Sequence, residues 1–174
     1  MQDLIVSIVD ILDRPGHYRD VSVARPIEGG LGLAALTDSP VRAQLRLESV
    51  VEGILATGPV QGEVSLTCAR CLGRFTDGLE VDVCELFVSG TPSPETRDDF
   101  YPIAGEQIDL EPMIRDALIL ALPTNPICRA ECRGICARCG TDLNSSTCSC
   151  KDEGLDPRWA ALDELKTRLG TGTS

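Results

Sequence analysis

Between Val60 and Cys68 apolar and polar positions alternate without a break: Val60, Val64, Leu66 and Cys68 fall on one side, Gln61, Glu63, Ser65 and Thr67 on the other. This period of two is the signature of a half-buried strand. Leu45 and Leu47 alternate with Gln44, Arg46 and Glu48, in a run expected to continue towards Leu55. Leu79, Val81 and Val83 alternate with Glu80 and Asp82. The short connections between these segments predict an antiparallel meander. Ahead of them, LIVSIVDI at 4–11 reads as a buried strand or a short helix, halted by the turn signal Arg14-Pro15-Gly16. The glycine-rich stretch 29–40, ending in Asp38-Ser39-Pro40, reads as a loop.

The period changes after the polar stretch 91–99, a loop by composition. Leu110, Met113, Ile114, Ala117, Leu118, Ala121 and Leu122 recur at helical spacing. Asp109 is placed as the N-cap, Pro112 falls in the tolerant first turn, and Pro123 is the stop. Ile119 and Leu120 widen the apolar face, which predicts a deeply packed helix. A short final helix is expected from Asp156-Pro157, with Trp159, Leu162, Leu165 and Leu169 sharing a face before a frayed GTGTS tail. Together these elements predict an α+β fold: an antiparallel β-sheet packed against a central helix, with a C-terminal cysteine-rich, zinc-ribbon-like segment. The expected layout is a core at 1–127, the ribbon-like segment at 128–155, and the helix and tail at 156–174.

A chain of 174 residues with 43% hydrophobic content can bury a real core as one domain with a small appendage. No run of apolar residues is long enough to span a membrane. The start, MQDLIVSIVDILDRPG, has no basic region before its apolar stretch, so no secretory leader is expected. That predicts a cytoplasmic protein with reduced thiols, in which a rich cysteine pattern points to metal before disulfides. The net charge of −11 is uneven: residues 1–127 carry 9 basic and 20 acidic side chains, residues 128–174 carry 7 of each. Such an acidic body suits a basic protein partner better than bare nucleic acid, although acidity also simply keeps a protein soluble.

Eight of the nine cysteines fall in close pairs: Cys68/Cys71, Cys128/Cys132, Cys136/Cys139 and Cys148/Cys150. Tetrahedral zinc takes four thiolates, and close pairs supply them readily. Two intervening residues let the chain curl so that both sulfurs lie on one side. In an extended segment, residues two apart also point the same way. The sequence Cys-Ala-Arg-Cys occurs twice, at 68–71 and 136–139, and each copy is followed by a glycine, Gly73 and Gly140. The compact grouping joins 136/139 to 148/150 across a short return, leaving 68/71 for 128/132 and giving two zinc ions. A single site on 128, 132, 136 and 139 also fits the spacing. Arg70, Arg74, Arg129, Arg133 and Arg138 lie among the cysteines, where they offset thiolate charge; they are also candidates for RNA or partner contact. Cys84 reads as a small half-buried hydrophobe.

Catalytic readings fit less well. A redox pair at Cys68/Cys71 needs a strand–helix setting, and strands are predicted on both sides. The spacing Cys132-x3-Cys136-x2-Cys139 matches that of radical S-adenosylmethionine enzymes, but only 35 residues remain for the barrel that should follow. A catalytic zinc needs an open position, and the only histidine, His17, sits apart beside a turn. No catalytic residue is assigned.

The run Cys68-Ala-Arg-Cys71-Leu72, then Leu120-Ala-Leu-Pro123, then Cys128-x3-Cys132-Arg-Gly-Ile-Cys136-x2-Cys139-Gly140-x-Asp142-Leu143-Asn144 with Cys148-x-Cys150, resembles the YceD family over roughly residues 40–169. That bacterial family is tied to accumulation of large-subunit ribosomal RNA. The resemblance implies a non-enzymatic role in ribosome biogenesis, with a large-subunit precursor or a basic ribosomal protein as partner. The competing expectation is a zinc-stapled adaptor or regulator unrelated to ribosomes.

Overall fold

The computed structural model describes residues 4–27, 29–32, 34–89, 100–150, 162, 165 and 166. Its strands in chain order are β1 (Ile5–Ser7), β2 (Tyr18–Arg25), β3 (Gly30–Leu31), β4 (Ala34–Leu36), β5 (Val41–Ser49), β6 (Ile54–Thr67), β7 (Arg74–Ser89), β8 (Tyr101–Ala104) and β9 (Gln107–Asp109). The helix α1 (Leu110–Leu120) follows directly. The described residues are mostly β-sheet with one α-helix, consistent with an α+β fold. Contacts group the chain into two units, Met1–Cys132 and Arg133–Ser174.

The alternation that predicts the central strands is visible in their burial. Val41, Ala43, Leu45 and Leu47 are buried while Arg42, Gln44 and Arg46 are exposed. Val60, Val64 and Leu66 continue the buried side on β6. The spine of the sheet is the antiparallel pairing of β6 with β7, unbroken from Ile54↔Phe87 to Thr67↔Arg74. On its other edge β6 pairs with β5 over Ile54–Gln61 and with β4 at Val64–Ser65. β2 pairs with β5 along its whole length. Gly58 is required where β6 crosses β5: its φ is +139°, and a Cβ there would run into the Gln44 carbonyl.

Several expectations are corrected. The run through Leu45 and Leu47 does not reach Leu55; it ends at Ser49, and a tight turn closed between Val50 and Gly53 starts β6. The stretch 4–11 is a strand only at β1, after which Ile8 and Ile11 are buried from a turn. The 29–40 stretch is not only loop, since it holds the paired β3 and β4. The sheet is not wholly antiparallel: β8 runs parallel to β7, with Phe87 opposite Tyr101 and their rings 5.3 Å apart. The polar stretch 91–99 lies outside the described residues, as does the final helix apart from Leu162, Leu165 and Lys166, which are helical.

In α1 the Asp109 carboxylate accepts from the Glu111 amide at 3.0 Å, the N-cap bond expected of it. Leu110, Met113, Ile114 and Leu118 are fully buried in one cluster with Leu47, Ile54, Val60 and Phe87. Ile119 and Leu120 depart from expectation: Leu120 is 86% exposed and Ile119 40%. The buried stripe of an 11-residue helix is already filled by four residues three or four apart, and the last turn rotates these two outward. Among the described residues, no helix is long and apolar enough to cross a membrane.

Candidate metal centres

The first Cys-Ala-Arg-Cys copy is the turn of the β6–β7 hairpin. The Cys68 amide donates to the Gly73 carbonyl and the Leu72 amide donates to the Cys68 carbonyl, both at 2.9 Å. This curl leaves Cys68 buried and Cys71 half-buried. The Ala69 amide donates to the Pro126 carbonyl at 2.8 Å, which brings the chain after α1 alongside the turn. The Arg70 guanidinium donates to the carbonyls of Ala130 (3.4 Å) and Cys132 (3.1 Å). These backbone latches deliver Cys128 and Cys132 to the hairpin.

The sulfurs of Cys68, Cys71, Cys128 and Cys132 all lie within 4.8 Å of one another. Cys68 and Cys132 are 3.9 Å apart and Cys71 and Cys128 3.8 Å. Four sulfurs at about 2.3 Å from one zinc would span a tetrahedron with edges of about 3.8 Å, whereas a disulfide closes to about 2.05 Å. The spacing therefore fits a metal.

The second copy repeats the same turn. The Cys136 amide donates to the Thr141 carbonyl and the Gly140 amide to the Cys136 carbonyl, again both at 2.9 Å. In each turn the residue after the second cysteine is left-handed, Leu72 with φ 59° and Gly140 with φ 72°. The expected match between Gly73 and Gly140 is thus out by one position; Leu72 is the true counterpart of Gly140. Beyond the turn, Ile135 bridges to Asp142 and the Leu143 amide donates to the Gly134 carbonyl. The Asp142 carboxylate accepts from the Asn144 backbone amide, and the Asn144 side-chain Oδ1 accepts from the Arg133 amide, both at 2.9 Å. These bonds fold the return that brings Cys148 to 3.5 Å from Cys136. The sulfurs of Cys136, Cys139, Cys148 and Cys150 again lie within 4.8 Å of one another. Two groups of four cysteines can therefore hold metal ions.

The metal-free thiols are electrostatically uneven. Amide donors, with that of Cys128 foremost, bring Cys68 down to about 6 from an ordinary 9.0, and the amides of Cys139 and Arg138 do the same for Cys136. Burial pushes Cys128 up to about 12, and the neighbouring Cys139 does so for Cys150. Each group thus holds a thiolate ready for a cation beside a thiol that must lose its proton to bind one.

Arg74, Arg129, Arg133 and Arg138 are exposed, whereas the Arg70 side chain is committed to the two carbonyls. Cys84 lies on β7 opposite Thr57, outside both groups, and is exposed where a half-buried hydrophobe was expected; it follows Val83, which takes the buried side. The Thr141 hydroxyl, 3.1 Å from the Cys139 sulfur, and the Pro126 carbonyl were not singled out in the sequence. Only a threonine two residues past the pair hinted at the former.

Comparison with known proteins adds the following. Residues 56–166 match the family described as large ribosomal RNA subunit accumulation protein YceD. An uncharacterized protein of Mycobacterium tuberculosis is 38% identical over 168 residues, covering 93% of this chain and 81% of the relative. The protein YlbN of Bacillus subtilis is 27% identical, covering 73% and 74%. A chloroplastic protein of Arabidopsis thaliana named large ribosomal RNA subunit accumulation protein YCED homolog 1 is 25% identical, covering 91% of this chain and 61% of its own length. No solved structure matches.

Proposed function

The chain belongs to the YceD family, and on that footing we propose that it is a non-enzymatic factor in ribosome biogenesis, acting in the cytoplasm to support accumulation or assembly of large-subunit ribosomal RNA. The observation that carries this reading is the family match over residues 56–166, which takes in most of β6, the strands β7 to β9, the helix and all eight paired cysteines, together with the name of the plant relative. In this reading both cysteine groups hold zinc, and the segment after Cys132 is a zinc ribbon. A non-enzymatic role agrees with the donor sets: four thiolates fill a tetrahedral zinc, leaving no position for substrate or water. The exposed Arg74, Arg129, Arg133 and Arg138 are the proposed contact residues. The acidic body, with 20 acidic against 9 basic residues before Cys128, suits a basic ribosomal protein within a large-subunit precursor.

Sedimentation of cell extracts tests the reading. The tagged chain is expected to travel with large-subunit precursors, and its deletion to lower large-subunit RNA relative to small-subunit RNA. A chain absent from those fractions, with unchanged RNA ratio on deletion, points instead to the unrelated adaptor.

A further inference from the structure

The two cysteine groups repeat one turn but are supported in opposite ways. In the first, Cys68 is 0% exposed and Cys132 4%. Its ligands come from positions 57 and 64 apart in sequence, and Arg70 and Ala69 bond the two segments independently of the sulfurs. It also belongs to a unit whose core, with Leu47, Ile54, Val60, Phe87 and Leu118 fully buried, stands on apolar packing. In the second group Cys139 and Cys150 are exposed. Among residues 133–150 no apolar side chain is buried; Ile135 and Leu143 are only half-covered. Besides sulfur, this segment is held by polar contacts: backbone bonds, the Asp142–Asn144 turn, and the Ser145 and Ser146 hydroxyls donating to the Asp142 carbonyl.

From this contrast we propose that the centres are of two kinds: Cys68/Cys71/Cys128/Cys132 is a locked staple, and Cys136/Cys139/Cys148/Cys150 is an exchangeable zinc centre whose occupancy decides whether residues 133–150 are folded. The inference rests on the zinc reading above. Exchange at a closed four-thiolate zinc begins with an incoming ligand reaching the metal or displacing a thiolate. The exposed residues Cys139 and Cys150 admit that ligand, whereas the first group has no exposed cysteine: Cys68 and Cys132 are covered and Cys71 and Cys128 half-buried. With no apolar side chain buried among residues 133–150, the metal supplies the centre these residues fold around, so loss of the metal is loss of their structure. The sheet unit keeps its core when the second centre empties. The protein therefore presents Arg133 and Arg138 in a fixed arrangement only while competing thiolate or nitrogen ligands are too scarce to draw zinc off this centre.

The test uses the full chain loaded with zinc. Bound zinc is counted first, and a strong aminocarboxylate chelator is then added while zinc release and backbone amide signals are followed. Two zinc ions at the start are expected, released in two phases of one ion each, with rates at least about tenfold apart. The fast phase should coincide with loss of the dispersed amides of residues 134–146, while β6 and β7 amides stay protected. Cys139→Ser and Cys150→Ser should abolish the fast phase and leave the slow one. Fewer than two zinc ions at the start overturns the zinc reading itself. Two ions released in a single phase, or a fast phase that Cys71→Ser removes, overturns the distinction between centres and leaves the zinc reading intact.

Discussion

Leu72 and Gly140 hold the same place in two turns of the same four letters: each amide donates to the first cysteine's carbonyl at 2.9 Å, and each φ is positive, 59° and 72°. Glycine takes this conformation freely, whereas leucine is strained there by about 1–2 kcal/mol. Leu72 is 62% exposed, so little packing repays it. Leu72→Gly is therefore expected to stabilise the zinc-loaded protein by up to about 1 kcal/mol, the unfolded-state entropy of glycine offsetting part of the relief. Gly140→Leu should weaken the second turn by a similar amount. Thermal denaturation of the loaded variants measures the first, and zinc affinity the second.

Arg70 fastens the hairpin turn to the carbonyls of Ala130 and Cys132. Arg70→Ala should cost about 1–2 kcal/mol, towards the low end for hydrogen bonds from a charged donor because Arg70 is exposed, and speed zinc release from the first centre. Arg70→Lys should rescue only in part, because an ammonium lacks the planar fork. Denaturant titration and chelator-driven release give the two readouts.

The thiol shifts fix the sign of a pH dependence. Cys68, near 6 in the folded protein against an ordinary 9.0, binds fewer protons folded than unfolded between those values. Its contribution to metal-free stability is full above about pH 9 and is lost as pH falls through about 6. Cys128, near 12, works the other way: its contribution is full below about pH 9 and is lost as pH rises through about 12. The thiolate absorbance of the metal-free protein should show a step near pH 6 that Cys68→Ser reduces and that Cys68→Ser with Cys136→Ser removes. Zinc binding at neutral pH should release protons, read as a dependence of binding enthalpy on buffer ionisation.

Gly58→Ala places a methyl against the Gln44 carbonyl at a φ of +139°. A loss of about 2 kcal/mol or more is expected, without change in zinc content, because the site lies in the β5–β6 crossing. Cys84→Ser, at an exposed position outside both groups, should change neither zinc content nor stability.

Strands with strict alternation and the capped helix were legible because burial on one face writes its period into the chain. Val60–Thr67 and Asp109–Leu120 show this directly. Tyr18–Arg25 carries the same period more weakly, with Val21 and Val23 only half-buried between exposed Asp20 and Ser22 and no position fully buried. The parallel pairing of β8 with β7 was not legible, since no local feature of Tyr101–Ala104 names its neighbour. For the cysteines, spacing exposed the pairs but not the partners. Which pair meets which is set by hydrogen bonds such as Ala69 to Pro126, between residues far apart in sequence.

The β6–β7 hairpin ends in a ligand pair, and that placement makes the first centre a judge of strand register. Sliding one strand past the other by a single residue would turn every inward side chain of the slipped strand outward and move Cys68 and Cys71 off the apex of the turn. A hairpin paired out of step cannot gather its sulfurs with Cys128 and Cys132. A cation captured there would select the correctly aligned hairpin during folding and leave misaligned chains without the ion.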